Sequence, residues 1–434
     1  MSDPHQASQA VLRSTTLATL SLLMTALLVA CGGGADGGTT DPVAGTPSPA
    51  PSPAPAPSPA PAPGTTACDS ATGRVLEVGA GKTYAVPSAA AAVAQNGDVI
   101  KISAGDYRGD VTTWSRSNLT VCGVGGRARL YADGRSAQGK AIWVITGSNV
   151  TIDSLEFHQA TVPDKNGAGI RAEHTGQLRI VNSGFYDNEN GILGGTGTAE
   201  VLIERSEFAR NGYGDGYSHN IYIGTAARLT VRASYFHEAK VGHNLKSRAA
   251  INVLENSYFM DGPSGTASYL VDFPNGGQVS LRGNLFHKGP NASNSVAISY
   301  GLEGLSWTTN TLALTHNTVA MTRSGGYYLA APSGTQSVVL KANILAGTGS
   351  PALITGSYPS ASVVQQNNVS SVASNIPGAS SIGSPNFWPN ATLLSQIALT
   401  GVPDASYTQD APTLYTVRTI TGTTRVAGAL QSAP

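Results

Sequence analysis

The sequence predicts an all-β fold, a right-handed single-stranded parallel β-helix with an N-terminal capping helix. Three columns of matched residues predict it. Phe157, Phe185, Phe208, Phe236, Phe259 and Phe286 recur at intervals of 23 to 28 residues, and Val319 and Leu345 continue the slot. Five residues before each stands an aliphatic: Ile152, Ile180, Ile203, Val231, Leu254, Leu281, Leu314 and Leu340. Two residues before each, from Phe185 on, stands a small polar side chain: Ser183, Ser206, Ser234, Ser257, Asn284, Asn317 and Asn343. A repeat of this length is one solenoid coil, which buries its apolar row only against the coils above and below.

The chain opens on an export signal rather than a fold element. Arg13 precedes an apolar run from Leu17 to Ala30, short for a membrane span, that ends Leu28-Val29-Ala30-Cys31-Gly32. This ending resembles the lipobox of bacterial lipoproteins, which implies lipidation at Cys31, membrane attachment through that anchor alone and, with Gly32 following, the outer membrane. A plain signal peptide is the alternative. Residues 32–66 are rich in Gly, Thr, Pro and Ala, with Pro-Ser-Pro-Ala-Pro repeats, and read as a stiff polyproline spacer. Residues 67–347 are expected to form the β-helix, and residues 348–434 its last irregular coils and a tail.

Within the solenoid, residues 87–96 predict a short helix started by Pro87 and stopped at Asn96-Gly97, suited to covering the first coil. A strand with a glycine turn follows over 98–107. Cys68 and Cys122 read either as a disulfide or as two buried thiols; their number and spacing do not suggest zinc. The charged fraction is 12% and the formal net charge is zero. That excludes a basic footprint for nucleic acid, and any recognition has to be local. A monomer is expected.

The candidate site lies where Gly216-Tyr217-Ser218-His219-Asn220-Ile221-Tyr222-Ile223 is answered by Gly242-His243-Asn244-Leu245-Lys246-Ser247-Arg248. The two His-Asn pairs are 24 residues apart, so Tyr222 should stand over Lys246 on the adjacent coil. Strand alternation places Asn220, Tyr222, Asn244, Lys246 and Arg248 outward and His219 and His243 inward or at the turn. Asp215, Asp272 and Glu303, on neighbouring turns and coils, are the other expected substrate-binding side chains. The catalytic candidates are Lys246, Arg248, Tyr222, His243 and His219. A cation to neutralise a uronate carboxylate, a base for the C5 proton and an acid for the leaving oxygen suit β-elimination. Repulsion from Arg248 would favour the neutral amine that a Lys246 base requires. Hydrolysis calls for two facing carboxylates, and no Asp or Glu pair repeats at coil spacing here.

The helix and the run Asp98-Val99-Ile100-Lys101-Ile102-Ser103-Ala104-Gly105-Asp106-Tyr107 resemble the opening of the pectate-lyase-like β-helix superfamily, and Arg425-Val426-Ala427-Gly428-Ala429-Leu430-Gln431 its closing segment. Lys246-Ser247-Arg248 through Asn256-Ser257-Tyr258-Phe259 resembles the catalytic segment of the alginate lyase and chondroitinase B family. That resemblance implies Lys246 as base, an acidic polysaccharide as substrate and a calcium ion. The family's second arginine has no counterpart, since Val271-Asp272-Phe273 stands in its place. The reading is therefore a cell-envelope lyase of a uronic-acid glycan. The alternatives are a non-catalytic glycan-binding or structural β-helix and, on the same scaffold, a C5-epimerase or glycoside hydrolase.

Overall fold

The computed structural model describes residues 66–197, 199–348, 352–355 and 362–434; the export segment, Cys31 and the spacer up to residue 65 lie outside them. A typical coil gives one strand to each of three parallel sheets, illustrated by Arg228–Arg232, Tyr235–His237 and Leu245–Ser247. The next coil repeats the order with Ile251–Glu255, Tyr258–Met260 and Val271–Phe273, paired in parallel to its predecessor. The path is that of a right-handed β-solenoid of about 11 turns. Regular pairing runs past residue 347, to Val369–Val372.

The three columns are the register of this stack. Phe157 pairs with Phe185, Phe185 with Phe208, and so on to Leu345; Ile152 through Leu340 pair likewise in the first sheet. The phenylalanine rings stack with centroids 4.5–5.3 Å apart and are fully buried. Close, near-parallel rings one coil apart are the contact that fixes the coil rise.

The polar column makes the corner between the first and second sheets. In each coil the preceding residue takes a left-handed conformation, as at Arg205 (φ 46°), Ala233 (φ 45°) and Asn256 (φ 50°), and this turns the chain. The side-chain oxygen of the following Ser or Asn accepts the backbone N–H of its counterpart one coil earlier. Ser206 Oγ takes Ser183 N–H, Ser234 Oγ takes Ser206 N–H, and Asn284 Oδ1 takes Ser257 N–H, each at 3.1 Å. The corner's buried backbone donors are thereby satisfied, which is why only small polar side chains occupy it.

At the N-terminal end the helix Pro87–Val93 buries Pro87 and Ala90, and a Cys68–Cys122 disulfide ties the short helix Ala67–Ser70 to the first sheet. At the other end the tail packs on the outer face of the second sheet. Ile376, Phe387, Leu393 and Ile397 bury themselves against Tyr235, Tyr258, Met260 and Leu285. The second sheet is thus covered by the chain itself. The outer row of the third sheet is instead bordered by turns, and the candidate residues sit there.

Candidate active site

The outer row of the third sheet runs Arg171, Leu193, Tyr222, Lys246, Asp272, Ser299, one residue per coil in direct register. Ile221, Ile223, Leu245, Val271 and Phe273 point inward and anchor the same strands in the core. Arg248, just past its strand, folds back so that Nε–H donates to Tyr222 Oη at 2.8 Å. Its two terminal nitrogens donate to Asn275 Oδ1 and Glu303 Oε2. Lys246 Nζ lies 2.8 Å from Glu303 Oε1 and 3.6 Å from Asp272 Oδ2, and its side chain is only 11% exposed. Tyr222, Lys246, Arg248, Asp272 and Glu303 therefore form one cluster.

Its electrostatics differ from the expectation. The charges in contact with Nζ are the carboxylates of Asp272 and Glu303, not the guanidinium. Burial, which alone would raise the Glu303 carboxyl, is outweighed by hydrogen bonds from Lys246 and Arg248, and it titrates below its usual range. Asp272 is different: 2% exposed, its carboxyl is pushed up to about 6 by burial. Two carboxyls that face each other across one ammonium are held in opposite directions. Arg248 stays a cation, since the hydrogen bonds it donates to Glu303 and Tyr222 outweigh the desolvation that would lower it.

Asn220 and Asn244 are not outward. Both are fully buried, in a ladder that closes the turn between the second and third sheets: Asn211 Nδ2 donates to Asn220 Oδ1 (2.9 Å) and Asn220 Nδ2 to Asn244 Oδ1 (2.8 Å). The strands begin only at Ile221 and Leu245, so alternation does not govern the asparagines before them. They are structural and, contrary to expectation, not presented to a substrate. Asp215 is exposed and accepts Tyr217 N–H at 3.1 Å within its own turn, a turn-forming arrangement away from the cluster's bonds.

His219 and His243 form a second ladder. Their rings stack at 4.6 Å; His219 Nδ1 accepts His243 N–H (3.0 Å) and His243 Nδ1 accepts Tyr269 N–H (3.2 Å). With both Nδ1 atoms accepting, the neutral rings carry their hydrogen on Nε2. His243 Nε2 comes within 3.5 Å of Asp272 Oδ2, so this ring borders the cluster while its other edge holds the turn. Burial holds both rings neutral, with His219 well below the usual imidazole value and His243 at about 3; His243 and Lys246 add repulsion on His219, Lys246 and Lys288 on His243.

This has a consequence for stability. An unfolded histidine protonates near 6.5 while folded His243 does not until about 3, so its contribution is complete above 6.5 and lost as pH falls toward 3, on the order of 5 kcal/mol in all. Asp272, raised in the fold, works in the opposite direction as pH falls through 6. His219, His287 and His316, also held below the usual imidazole value by burial, act in the same direction as His243, so the melting temperature should drop between pH 7.5 and 4.5, and His243→Gln, which cannot protonate, should show a shallower drop. Equal slopes for the two proteins would mean that the ring does not titrate as described.

Three cluster residues were not anticipated: Asn275, Ser306 and Trp307. Asn275 Nδ2 donates to Ser306 Oγ (2.8 Å) and Trp307 Nε1–H to the Arg248 carbonyl (3.2 Å). Asn275 lies in the turn 274–277, and Ser306 and Trp307 come with the segment between Tyr300 and Thr311, longer than the corresponding turns 274–277 and 248–250 of the two preceding coils. That length was the readable signal. For the calcium ion that the resemblance implies, the described residues bring together no group of three or more His, Cys, Asp or Glu side chains.

Residues 130–286 match the family of the right-handed β-helix region. A search of curated proteins gives no match. Among solved structures the chain is similar to an alginate lyase from Paenibacillus sp. str. FPU-7, with 17% identity over 67% of this chain and 99% of that one, at a TM-score of 0.50. It is also similar to the pectate lyase Pel9A, with 14% identity over 83% of this chain and 97% of that one, at a TM-score of 0.54. At these identities the likeness is one of fold.

Proposed function

We propose that the chain is a polysaccharide-active enzyme, a lyase that cleaves a uronic-acid glycan by β-elimination. The observation that carries this is the placing of a guanidinium, an ammonium and a phenol in one cluster on the outer row of the third sheet. The likeness in fold to an alginate lyase and a pectate lyase supports it. Lysines and arginines on a solenoid surface are mostly solvated, but here both are largely covered and share bonding partners.

In this reading Arg248 clamps the uronate carboxylate and stabilises the charge that develops as C5 loses its proton. Lys246, in its unprotonated form, takes that proton, and Asp272, 3.6 Å away, holds the ammonium that results. Tyr222 gives its hydrogen to the departing glycosidic oxygen. Its Oη already accepts from Arg248, which leaves its own O–H free to donate and stabilises the phenolate that remains. The lipobox sequence around Cys31 supports attachment to the cell envelope.

A second reading has one observation in its favour. Asp272 and Glu303 flank Lys246 with their proton affinities driven apart, the arrangement by which glycosidases set an acid beside an ionised carboxylate. Glu303 does not repeat at coil spacing; the long turn returns it to the cluster. The two reactions separate in one experiment. The domain from residue 67 onward, incubated with alginate, pectate, chondroitin, hyaluronan and glucuronan, should produce the ultraviolet absorbance of unsaturated ends on one of them. New reducing ends without absorbance would identify a hydrolase. Proton exchange at C5 in heavy water without chain shortening would identify an epimerase, and binding without any chemistry a glycan-binding module.

A further inference from the structure

The turn 301–310 does more than connect two sheets, because it reaches back over two coils. Glu303 bonds Lys246 and Arg248, at sequence separations of 57 and 55 residues, and Trp307 and Ser306 hold Arg248 and Asn275. Glu303 thus places one carboxylate between an ammonium and a guanidinium, an oxygen on each. The side chain that does this is itself 47% exposed, while the lysine beneath it is 11% exposed. Glu303 Oε1, 2.8 Å from Nζ, therefore competes with any acceptor that a sugar brings to that nitrogen.

We propose that Glu303 is a surrogate for the substrate's carboxylate and a determinant of specificity: a uronate occupies the oxygen positions of Glu303 and displaces the turn, and a neutral sugar cannot. The inference rests on the reading of the substrate as an acidic glycan. The exchange is balanced, one carboxylate leaving two cations as another arrives, so the site never leaves its cations unpaired. A half-exposed ion pair is weak and easily broken. The turn has the joints such a displacement requires: Gly301 (φ 67°) and Gly304 (φ 107°) flank Glu303 in left-handed conformations, and one backbone bond, Glu303 N–H to the Pro274 carbonyl at 3.0 Å, fastens the residue between them. A carbohydrate without a charge gains nothing from Lys246 and Arg248 to offset the lost Glu303 bonds. An acidic one does.

Glu303→Gln tests this, since it keeps the shape and removes the charge that competes for the cations. The probes are pentamers of mannuronate, guluronate, galacturonate and glucuronate and their carboxyl-reduced counterparts, titrated calorimetrically against both proteins. The variant should bind the preferred acidic pentamer about 10-fold tighter, because the fraction of wild-type protein with a free site limits its apparent affinity. The reduced pentamers should show no gain. Hydrogen exchange at residues 301–306 should quicken when the acidic pentamer binds the wild type. Equal affinity of the two proteins for a bound acidic pentamer would overturn the surrogate role and leave the lyase reading intact. Unchanged affinity with lost turnover would overturn it in favour of Glu303 as a catalytic carboxylate. Failure of every acidic pentamer to bind either protein would remove the acidic substrate, and the surrogate with it.

Discussion

Lys246→Ala should reduce turnover by roughly 10²- to 10⁴-fold, the range that a positioned proton-transfer group contributes. Its Nζ is the one atom of the cluster in contact with both carboxylates, and its register partners are Tyr222 on one side and Asp272 on the other. Removing it takes the base from the scissile ring and also strands Asp272, whose buried carboxyl then has no neighbouring cation. The fold should tolerate the change, because the aliphatic stem lies outside the barrel while Leu245 keeps the strand in the core. The measurement is the rate of product formation on the substrate identified by the panel, together with a melting curve. Full activity with an unchanged melting curve would remove Lys246 from the chemistry and leave it a surface cation.

Phe208→Ala is expected to give the largest loss of stability, about 3–5 kcal/mol. The ring is fully buried between Phe185 at 4.5 Å and Phe236 at 4.7 Å, nearly parallel to both, midway along the stack. A solenoid closes no such void from the side, since each coil meets only its two neighbours. The cost should appear as a lower denaturation midpoint, and the cut stack should make the transition less cooperative, with the halves on either side of Phe208 melting apart. A loss below about 1 kcal/mol, the scale of a single methylene, would mean that the coils relax into the gap and the stack is not what sets their rise.

The columns were legible because a residue's partner in this fold sits one coil away, a separation short enough to be seen as recurrence. Tyr222 over Lys246 was legible for the same reason. Two things were not. Asn220 and Asn244 precede their strands by one residue, and there the peptide is already in the turn, where hydrogen-bond demand rather than pleat decides direction. Glu303 meets Lys246 across two coils through an irregular segment, and no periodicity carries that contact. What decides the cluster's charge balance is thus a residue whose position depends on loop conformation alone.

The asparagine ladder has one more consequence. Asn188 accepts Ala160 N–H from the coil before and pairs with Asn211, whose amide is answered by Asn220 after the excursion 213–217 has left the stack and come back. The ladder resumes as though the excursion were not there. Length can therefore be added between these two sheets without disturbing the coils on either side. Such turns are places where one segment can be exchanged for another, and the fold's capacity to acquire new ligands lies in grafting at these junctions rather than in altering the strands.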